Sequence, residues 1–307
     1  MRDAFVRALL REFAVNDRVV IITGDLGFGV LKPFWEQYPD RIINAGIAEQ
    51  GMVGMAAGLA ATGRTVFVYS IGNFPTIRPL EQIRNDCAYH GADVKIVCVG
   101  GGFVYGSLGM SHHATEDIPV LRAMPGVTCF APGDPAETEA AVPEMMKIRG
   151  TCYLRLGRGN ERAVHTDDIS GADIMKAMTL RAGTDTALLS TGGILTETYD
   201  AAEMLAARGI SAEVVSFPCF KPIDRDKLLE LSRRFDLIVT AEEGNVTGGF
   251  GSAVCEVLAE SGNGCRVRRI GLDDRYTSVV GNQKYLRGVY GMDAKAICDR
   301  TAAWLKG

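Results

Sequence analysis

One acidic residue stands in an otherwise apolar segment and is the first candidate for chemistry. The segment RIINAGIAEQGMVGMAAGLA (41–60) carries Glu49 where an extended piece runs into a helix rich in alanine and glycine. Its apolar neighbours predict burial, and a carboxylate is costly to bury without a partner. An acid at a helix start can simply interact with the helix dipole. Otherwise, it can bind a polar ligand inside the protein.

Two glycines follow Glu49 on the same predicted helix. Gly54 and Gly58 are four residues apart, so they lie on one helical face and leave it without side chains. Another helix or a ligand can therefore approach this face closely.

A pair of adjacent histidines forms a second candidate site. His112 and His113 lie in GMSHHATEDIPVLR (109–122), in a loop of small residues before a predicted helix. Imidazole exchanges protons near neutral pH, whereas a lone histidine is more often structural. Two neighbouring histidines in such a loop favour contact with a substrate.

Two arginines follow a predicted strand in LRLGRGN (154–160). Arg155 and Arg158 could bind a phosphate in bidentate fashion. Pairing with an acid such as Glu161 is the alternative. Arg158 is the stronger candidate for a ligand contact.

Strand-like and helix-like segments alternate along the chain, which is typical of parallel sheets covered by helices. The polar, weakly patterned stretch 160–178 predicts a linker between two such series. We therefore expect an α/β protein of two domains, each a mostly parallel β-sheet flanked by helices. The predicted strands of the first series are 18–24, 65–70, 94–100, 127–132 and 152–157, with helices near 48–61, 76–88, 115–123 and 135–148. The second series has predicted strands at 186–191, 211–217, 236–242 and 265–271, with helices ending near 208 and starting near 224, 249 and 293.

Composition excludes several classes of function. The 307 residues are 47% hydrophobic and carry a net charge of −4 without a basic stripe, so nucleic acid is not an expected partner. No apolar run approaches the roughly 20 residues that span a bilayer, and the first residues predict an amphipathic helix instead of a signal peptide. The expected location is the cytoplasm. The eight cysteines include no C-x-x-C pair, which favours reduced thiols in the core.

The motifs, taken together, resemble one enzyme family. GIAEQ followed by MVGMAAGLA is similar to the glutamate motif in the pyrimidine-binding domain of thiamine-diphosphate enzymes, in the form seen in transketolases and deoxyxylulose-phosphate synthases. Further segments resemble transketolase in the same order and cover nearly the whole chain, but only the C-terminal half to two thirds of a full transketolase. They are Arg2, TGDLG (23–27), R-x-L-E-Q-I-R-N (78–85), S-H-H-x-x-E-D (111–117), LRLGRGN (154–160), FKPID (220–224) and AEEGNVTGGFGSAV (241–254).

This resemblance implies a role for the buried acid. A carboxylate that hydrogen-bonds N1′ of the cofactor's aminopyrimidine favours its imino form, which then removes the C2 proton of the thiazolium. Glu49 is thus the leading catalytic candidate. The resemblance also places Asp25, Ile47 and Arg78 beside the cofactor. Phe74 is the candidate for stacking on the pyrimidine, with a shift of one residue from the family register.

The same resemblance suggests which residues contact substrate. His112 matches the catalytic, substrate-facing histidine of the family, and His113 stands where glutamine is usual. Arg2, Arg155 and Arg158 complete the implied substrate site.

Some family positions carry other residues here. Leu108 stands where transketolases have an aspartate, Gly100 where they have a histidine, and Gly29 near a serine that contacts phosphate. Gly244 replaces a histidine that usually follows the paired glutamates. With fewer polar groups for a hydroxylated chain, we expect a substrate other than the usual pentose phosphates.

The metal-binding half of the cofactor site is missing from the sequence. Thiamine-diphosphate enzymes hold diphosphate and Mg²⁺ through a G-D-G motif and a later asparagine, because Mg²⁺ prefers oxygen ligands. No G-D-G occurs here. We therefore expect no metal site on this chain, a partner subunit that carries the motif, and an α2β2 tetramer.

The sequence thus predicts one subunit of a split transketolase, with a pyrimidine domain at 1–165, a linker at 166–179 and a C-terminal domain at 180–307. It would transfer a two-carbon ketol unit from a ketose, expected to be phosphorylated, to an aldehyde. The β subunit of a thiamine-dependent 2-oxo acid dehydrogenase or acetoin-type complex is the alternative enzyme. A non-catalytic partner subunit is the alternative of another class.

Overall fold

A computed structural model of the protein describes residues 1–159, 161–262 and 264–306 as two β-sheets with helices packed on them. The strands are β1 Val19–Thr23, β2 Ile42–Asn44, β3 Thr65–Ile71, β4 Val94–Val99, β5 Thr128–Phe130, β6 Cys152–Leu156, β7 Met178–Arg181, β8 Thr186–Ser190, β9 Ala212–Ser216, β10 Cys219–Lys221, β11 Leu237–Asn245 and β12 Arg266–Leu272. The α-helices are α1 Arg2–Val15, α2 Lys32–Gln37, α3 Glu49–Ala61, α4 Leu80–Gln82, α5 Asp117–Ala123, α6 Pro135–Lys147, α7 Leu195–Ala206, α8 Arg225–Arg234, α9 Phe250–Ser261, α10 Gln283–Val289 and α11 Ala294–Lys306.

The first sheet has seven strands in the order β10-β5-β6-β4-β3-β1-β2. All neighbours pair in parallel except β10, which is antiparallel to β5. Every residue of β1, β4 and β6 is buried, as expected for strands covered by helices on both faces. The carboxyl ends of β1 to β4 and β6 therefore meet at one edge, where the loops that follow them come together.

The second sheet has five strands in the order β12-β11-β8-β9-β7. Its neighbours are parallel except β7, which runs antiparallel to β9 at one edge. The expectation of two mostly parallel sheets flanked by helices is confirmed.

The two halves share structure. Strand β10 follows β9 of the second sheet but pairs with β5 of the first. One hydrophobic core also contains side chains from both halves, including Val53 and Ile118 from the first and Phe217, Leu228 and Phe250 from the second. The halves are therefore joined by a common sheet and a common core.

Several elements differ from the sequence expectations. Strands β7 and β10 and helices α2 and α10 were not predicted, because each is short and lacks a strong period. The predicted helix 76–88 begins only at Leu80, after Pro79, and continues from Ile83 to Ala88 as a π-helix. The polar stretch after β6 is fixed in place: Ile174 is fully buried, and Asp134 accepts hydrogen bonds from the backbone of Val164 and His165. Asn160, the first residue of the polar stretch 160–178, lies outside the described residues.

Among the described residues, none of the helices has the length and apolar character required to cross a membrane.

Candidate active site

Glu49 begins helix α3 at the carboxyl edge of the first sheet. Gly46, with φ of 71°, turns the chain between β2 and this helix. The Glu49 side chain is only 7% exposed, and its Oε1 accepts a hydrogen bond of 3.1 Å from Nη1 of Arg78. Oε2 makes no hydrogen bond among the described residues. One oxygen of a buried carboxylate is thus left for a ligand.

Arg78 lies between Glu49 and an aromatic ring. Its guanidinium carbon is 3.9 Å from the ring centroid of Phe74, while Nη1 reaches Glu49. The guanidinium is planar, cationic and half exposed. It therefore combines a hydrogen bond to the acid with stacking on the ring, two contacts that a planar nitrogen heterocycle could also make here.

His112 continues this group of side chains. It ends a short 3-10 helix, Met110–His112, and its ring centroid is 5.1 Å from that of Phe74. Nδ1 lies 3.0 Å from the hydroxyl of Ser111. Partial burial, helped by the nearby charges of Arg78 and His113, lowers the pKa of His112. The imidazole is accordingly neutral at pH 7 and can both donate and accept a proton.

Tyr105 extends the group toward the two remaining arginines. Its ring centroid is 6.4 Å from that of His112, and the guanidinium carbon of Arg158 lies 5.4 Å from the ring. A Cβ on Gly159 would lie 3.8 Å from Nη2 of Arg2, which places Arg2 beside the same loop. Together, Glu49, Arg78, Phe74, His112, Tyr105, Arg158 and Arg2 form a continuous series of contacts, called here the site row.

Arg155 does not join the site row. It is 3% exposed, and its Nε lies 2.7 Å from Oδ2 of Asp117, to which Tyr153 also donates. Its Nη2 donates to the backbone carbonyls of Ala114 and Glu243. Removing one partner of such a buried ion pair costs about 3–5 kcal/mol. The structure therefore shows Arg155 in a buried ion pair. Its expected phosphate contact stays a prediction, since the residue also lines the cleft that contains Arg158.

His113 is hydrogen-bonded within the interior, although it lines the same cavity as Phe74 and Arg78. It is 2% exposed, its Nδ1 contacts the hydroxyl of Thr277, and its Nε2 is 3.2 Å from the carbonyl oxygen of Gly106. Both ring nitrogens are occupied, so in this arrangement the side chain connects the loop after β4 to the second half of the chain. The expected substrate contact of His113 stays a prediction, because its ring nitrogens are engaged while the residue lines the cavity beside Phe74.

Asp25 and Ile47 lie at the outer side of the site. Asp25 adopts φ of 57°, and its backbone N–H and its Oδ1 both bond to the side chain of Asn44. Its exposed carboxylate therefore follows β1 directly beside the turn that leads to Glu49. Ile47 is 76% exposed, which is unusual for isoleucine and leaves it available to a ligand or another chain.

The positions where the family pattern is broken have different surroundings. A Cβ on Gly29 would meet nothing within 4 Å, and Leu108 is 55% exposed. A Cβ on Gly244 would come within 3.1 Å of the Thr115 carbonyl oxygen, so a larger residue would push against the loop before α5. Gly100 has φ of 94°, and a Cβ there would overlap the ring of Tyr105 at 2.2 Å.

Sequence reasoning missed Tyr105. The sequence signal for such a residue was three consecutive glycines, Gly100 to Gly102. Glycines directly after a buried strand indicate that other atoms approach the backbone closely there. Those atoms belong to Tyr105, Arg155 and Glu243, respectively.

The site row offers an acceptor oxygen and an aromatic face to a planar nitrogen heterocycle. Oε2 of Glu49 is free for a ring nitrogen, and Phe74 offers an aromatic surface that Arg78 now covers. In contrast, no cluster of three or more His, Cys, Asp or Glu suited to a metal ion occurs in the described parts of the chain. A cleft of about 400 Å³ lies beside the row between the two halves, and Arg158 lines it.

Comparison with known proteins agrees with these features. Residues 1–163 match the family described as "Transketolase, pyrimidine binding domain", and residues 175–297 match "Transketolase, C-terminal domain". The chain is 38% identical to the 6-deoxy-6-sulfo-D-fructose transketolase subunit SqwH of Clostridium sp. strain MSTE9, covering 97% of this chain and 92% of the relative. It is 36% identical to one of the subunits of the apulose-4-phosphate transketolase of Phocaeicola vulgatus, covering 99% and 97%.

A solved structure is also similar over nearly its full length. It is described as "Split gene transketolase, inactive beta4 tetramer" and superimposes with a TM-score of 0.91 at 35% identity, covering 99% of this chain and 98% of that one.

Proposed function

Because the chain belongs to the transketolase family, we propose that it is the pyrimidine-binding subunit of a split, thiamine-diphosphate-dependent transketolase. In this proposal, residues 1–165 form the pyrimidine domain and 180–307 the C-terminal domain, with 166–179 between them. The reaction is transfer of a two-carbon ketol unit from a ketose to an aldehyde. The observation that carries the proposal is the series of contacts from Glu49 through Arg78 and Phe74 to His112.

The cofactor, when bound, supplies the carbon nucleophile. Glu49 accepts the hydrogen bond from the pyrimidine nitrogen, and its burial strengthens this bond because little water competes. Phe74 would provide an aromatic surface for stacking, and Arg78 lies beside it. Asp25 and Ile47 border the cofactor from the loops after β1 and β2.

In this proposal, His112 contacts the substrate. Its neutral imidazole, oriented by Ser111, can donate a hydrogen bond to a sugar hydroxyl or carbonyl oxygen and can return the proton later. Arg2 and Arg158 hold the far end of the substrate. Arg158 has no carboxylate partner among the described residues, so its charge is available to an anion.

The substrate we propose is an anionic sugar. The two relatives named above act on sugars that carry a sulfonate or a phosphate, as their names state. Both groups are tetrahedral oxyanions that arginine binds well. The missing polar groups at Gly29 and Leu108 favour a sugar other than the usual pentose phosphates.

A partner subunit completes the proposed enzyme. Helix α3 exposes Gly58 and the apolar Met55, and a Cβ on Gly54 or Gly58 would meet no described atom within 4 Å. Each glycine lowers helix stability by about 1 kcal/mol relative to alanine, and no described neighbour would clash with a side chain at either position. We infer that the outer face of α3 packs against a subunit with the G-D-G motif, which binds the diphosphate and Mg²⁺. An α2β2 tetramer is the expected assembly.

Reconstitution tests this function. We expect the isolated chain to show neither Mg²⁺-dependent binding of thiamine diphosphate in calorimetry nor ketol transfer. Mixed with a G-D-G subunit encoded beside it, the chain should bind the cofactor and transfer a two-carbon unit between sugars. Tight cofactor binding or turnover by the isolated chain would refute the split enzyme. Turnover of a 2-oxo acid with a lipoyl acceptor, but of no ketose, would identify the dehydrogenase alternative.

Arg158→Ala provides a prediction about the substrate. Loss of a charged hydrogen bond of about 1.5–3 kcal/mol should raise KM for an anionic acceptor roughly ten- to a hundredfold, while the uncharged analogue changes little. Steady-state kinetics with the two acceptors measures this difference. Arg162→Ala is the matched control, because Arg162 lines the same cleft but is paired with Asp200. Equal effects on both acceptors would assign Arg158 a structural role.

A further inference from the structure

The ring of Tyr105 fills the space above Gly100 at the end of β4. A Cβ on Gly100 would lie 2.2 Å from Cε2 and 2.3 Å from Cδ2 of Tyr105, so no larger residue fits while the ring is there. The family pattern has a histidine at Gly100. In this chain, the space that a side chain at position 100 would occupy is filled by the ring of Tyr105, which comes from the loop after β4.

The surroundings of Tyr105 are cationic. Arg158 lies over the ring at 5.4 Å. Arg2 approaches the adjoining Gly159, while its Nε donates to Oδ1 of Asp3 at 3.0 Å. Burial raises the pKa of Tyr105, and the charges of Arg158 and Arg2 only partly oppose this effect. The phenol consequently keeps its proton at neutral pH and can donate a hydrogen bond.

The hydroxyl of Tyr105 is also unused. It makes no hydrogen bond to any residue the structure describes, although the ring is partly buried. A half-buried donor on a ring that Arg158 covers, with the charge of Arg2 nearby, is suited to an acceptor with several oxygens. On its other side, the ring neighbours His112 at 6.4 Å, so such an acceptor would belong to the same substrate.

We propose that Tyr105 is a specificity-determining residue, whose hydroxyl binds the terminal tetrahedral oxyanion of the sugar together with Arg2 and Arg158. This inference rests on the proposed function and adds a donor that the family pattern does not contain. Phosphate and sulfonate share the required chemistry, since both present three oxygens.

Binding of unreactive probes to the reconstituted complex tests the role of the hydroxyl without depending on turnover. The probes are glycerol 3-phosphate, 2,3-dihydroxypropane-1-sulfonate and glycerol, titrated by calorimetry into the wild type, Tyr105→Phe and Tyr89→Phe. Tyr89 is 84% exposed and is the matched control. We expect Tyr105→Phe to weaken the preferred anion about tenfold and to leave glycerol unchanged. The probe that binds more tightly to the wild type shows whether the substrate carries a phosphate or a sulfonate.

Kinetics supplies a second readout. With the anionic acceptor, Tyr105→Phe should raise KM and leave kcat within about twofold, because the hydroxyl contacts the end remote from the reacting carbon. Equal anion binding by the wild type and Tyr105→Phe, or binding of neither anion by the wild type, would overturn the inference. Ketol transfer with unaltered anion binding would leave the proposed function standing and remove only the role of Tyr105.

Discussion

Glu49→Gln should reduce ketol transfer by the reconstituted enzyme about 10²–10⁴-fold, the range of a lost acid–base group. Glutamine keeps the shape of the side chain but removes the negative charge that strengthens the hydrogen bond to the pyrimidine nitrogen. Exchange of the C2 proton of bound thiamine diphosphate, followed by NMR after quenching, should fall by a similar factor. This measurement separates the effect on the cofactor from any effect on sugar binding.

The variant should still fold and assemble. Glu49 pairs with an arginine that is half exposed, so the ion pair contributes only about 0–1 kcal/mol. Glu81→Gln, a loss of an exposed acid on the neighbouring helix α4, is the matched control and should behave as the wild type. Proton exchange at the wild-type rate in Glu49→Gln would remove Glu49 from the catalytic assignment.

Gly58→Leu should abolish productive assembly while preserving the fold. Leucine favours a helix over glycine by about 0.5–1 kcal/mol, and a Cβ at this position meets nothing within 4 Å, so the isolated chain should melt at the same or a higher temperature. In the proposed assembly the added side chain would enter the space of the partner subunit, and overpacking of this kind weakens association by roughly a hundredfold. Sedimentation of the mixture measures the loss of the complex.

The control for this substitution is another exposed helical glycine. Gly288 lies in α10, where a Cβ would have only an ordinary contact of 3.6 Å with Asp293. Gly288→Leu should leave assembly and cofactor binding intact. If Gly58→Leu assembles as tightly as the wild type, the partner does not use the outer face of α3.

The sequence was sufficient to predict the class of fold and the position of Glu49. Long buried strands such as β4 and a glycine-rich helix have strong local patterns, and Glu49 contrasts with its apolar neighbours. The catalytic interpretation then depended on resemblance, because burial alone does not distinguish a ligand contact from a helix-dipole contact.

Contacts between distant segments could not be predicted in the same way. Arg155 has the composition of a phosphate ligand, but the folded chain brings Asp117 against it. Likewise, Tyr105 matters only because the loop after β4 turns back over Gly100. Short strands such as β10 have no period, and their place in a sheet is decided by tertiary packing.

Strand β10 has a consequence for how the protein holds together under stress. Cys219–Lys221 covers the edge of β5. The two halves therefore cannot separate without breaking the hydrogen bonds between β10 and β5. A fragment that ended before this strand would present bare amide and carbonyl groups along β5, which invite pairing with foreign chains. The core shared by the halves would be open to water in the same fragment. The edge of the first sheet is therefore protected by a strand that comes from the second half of the sequence.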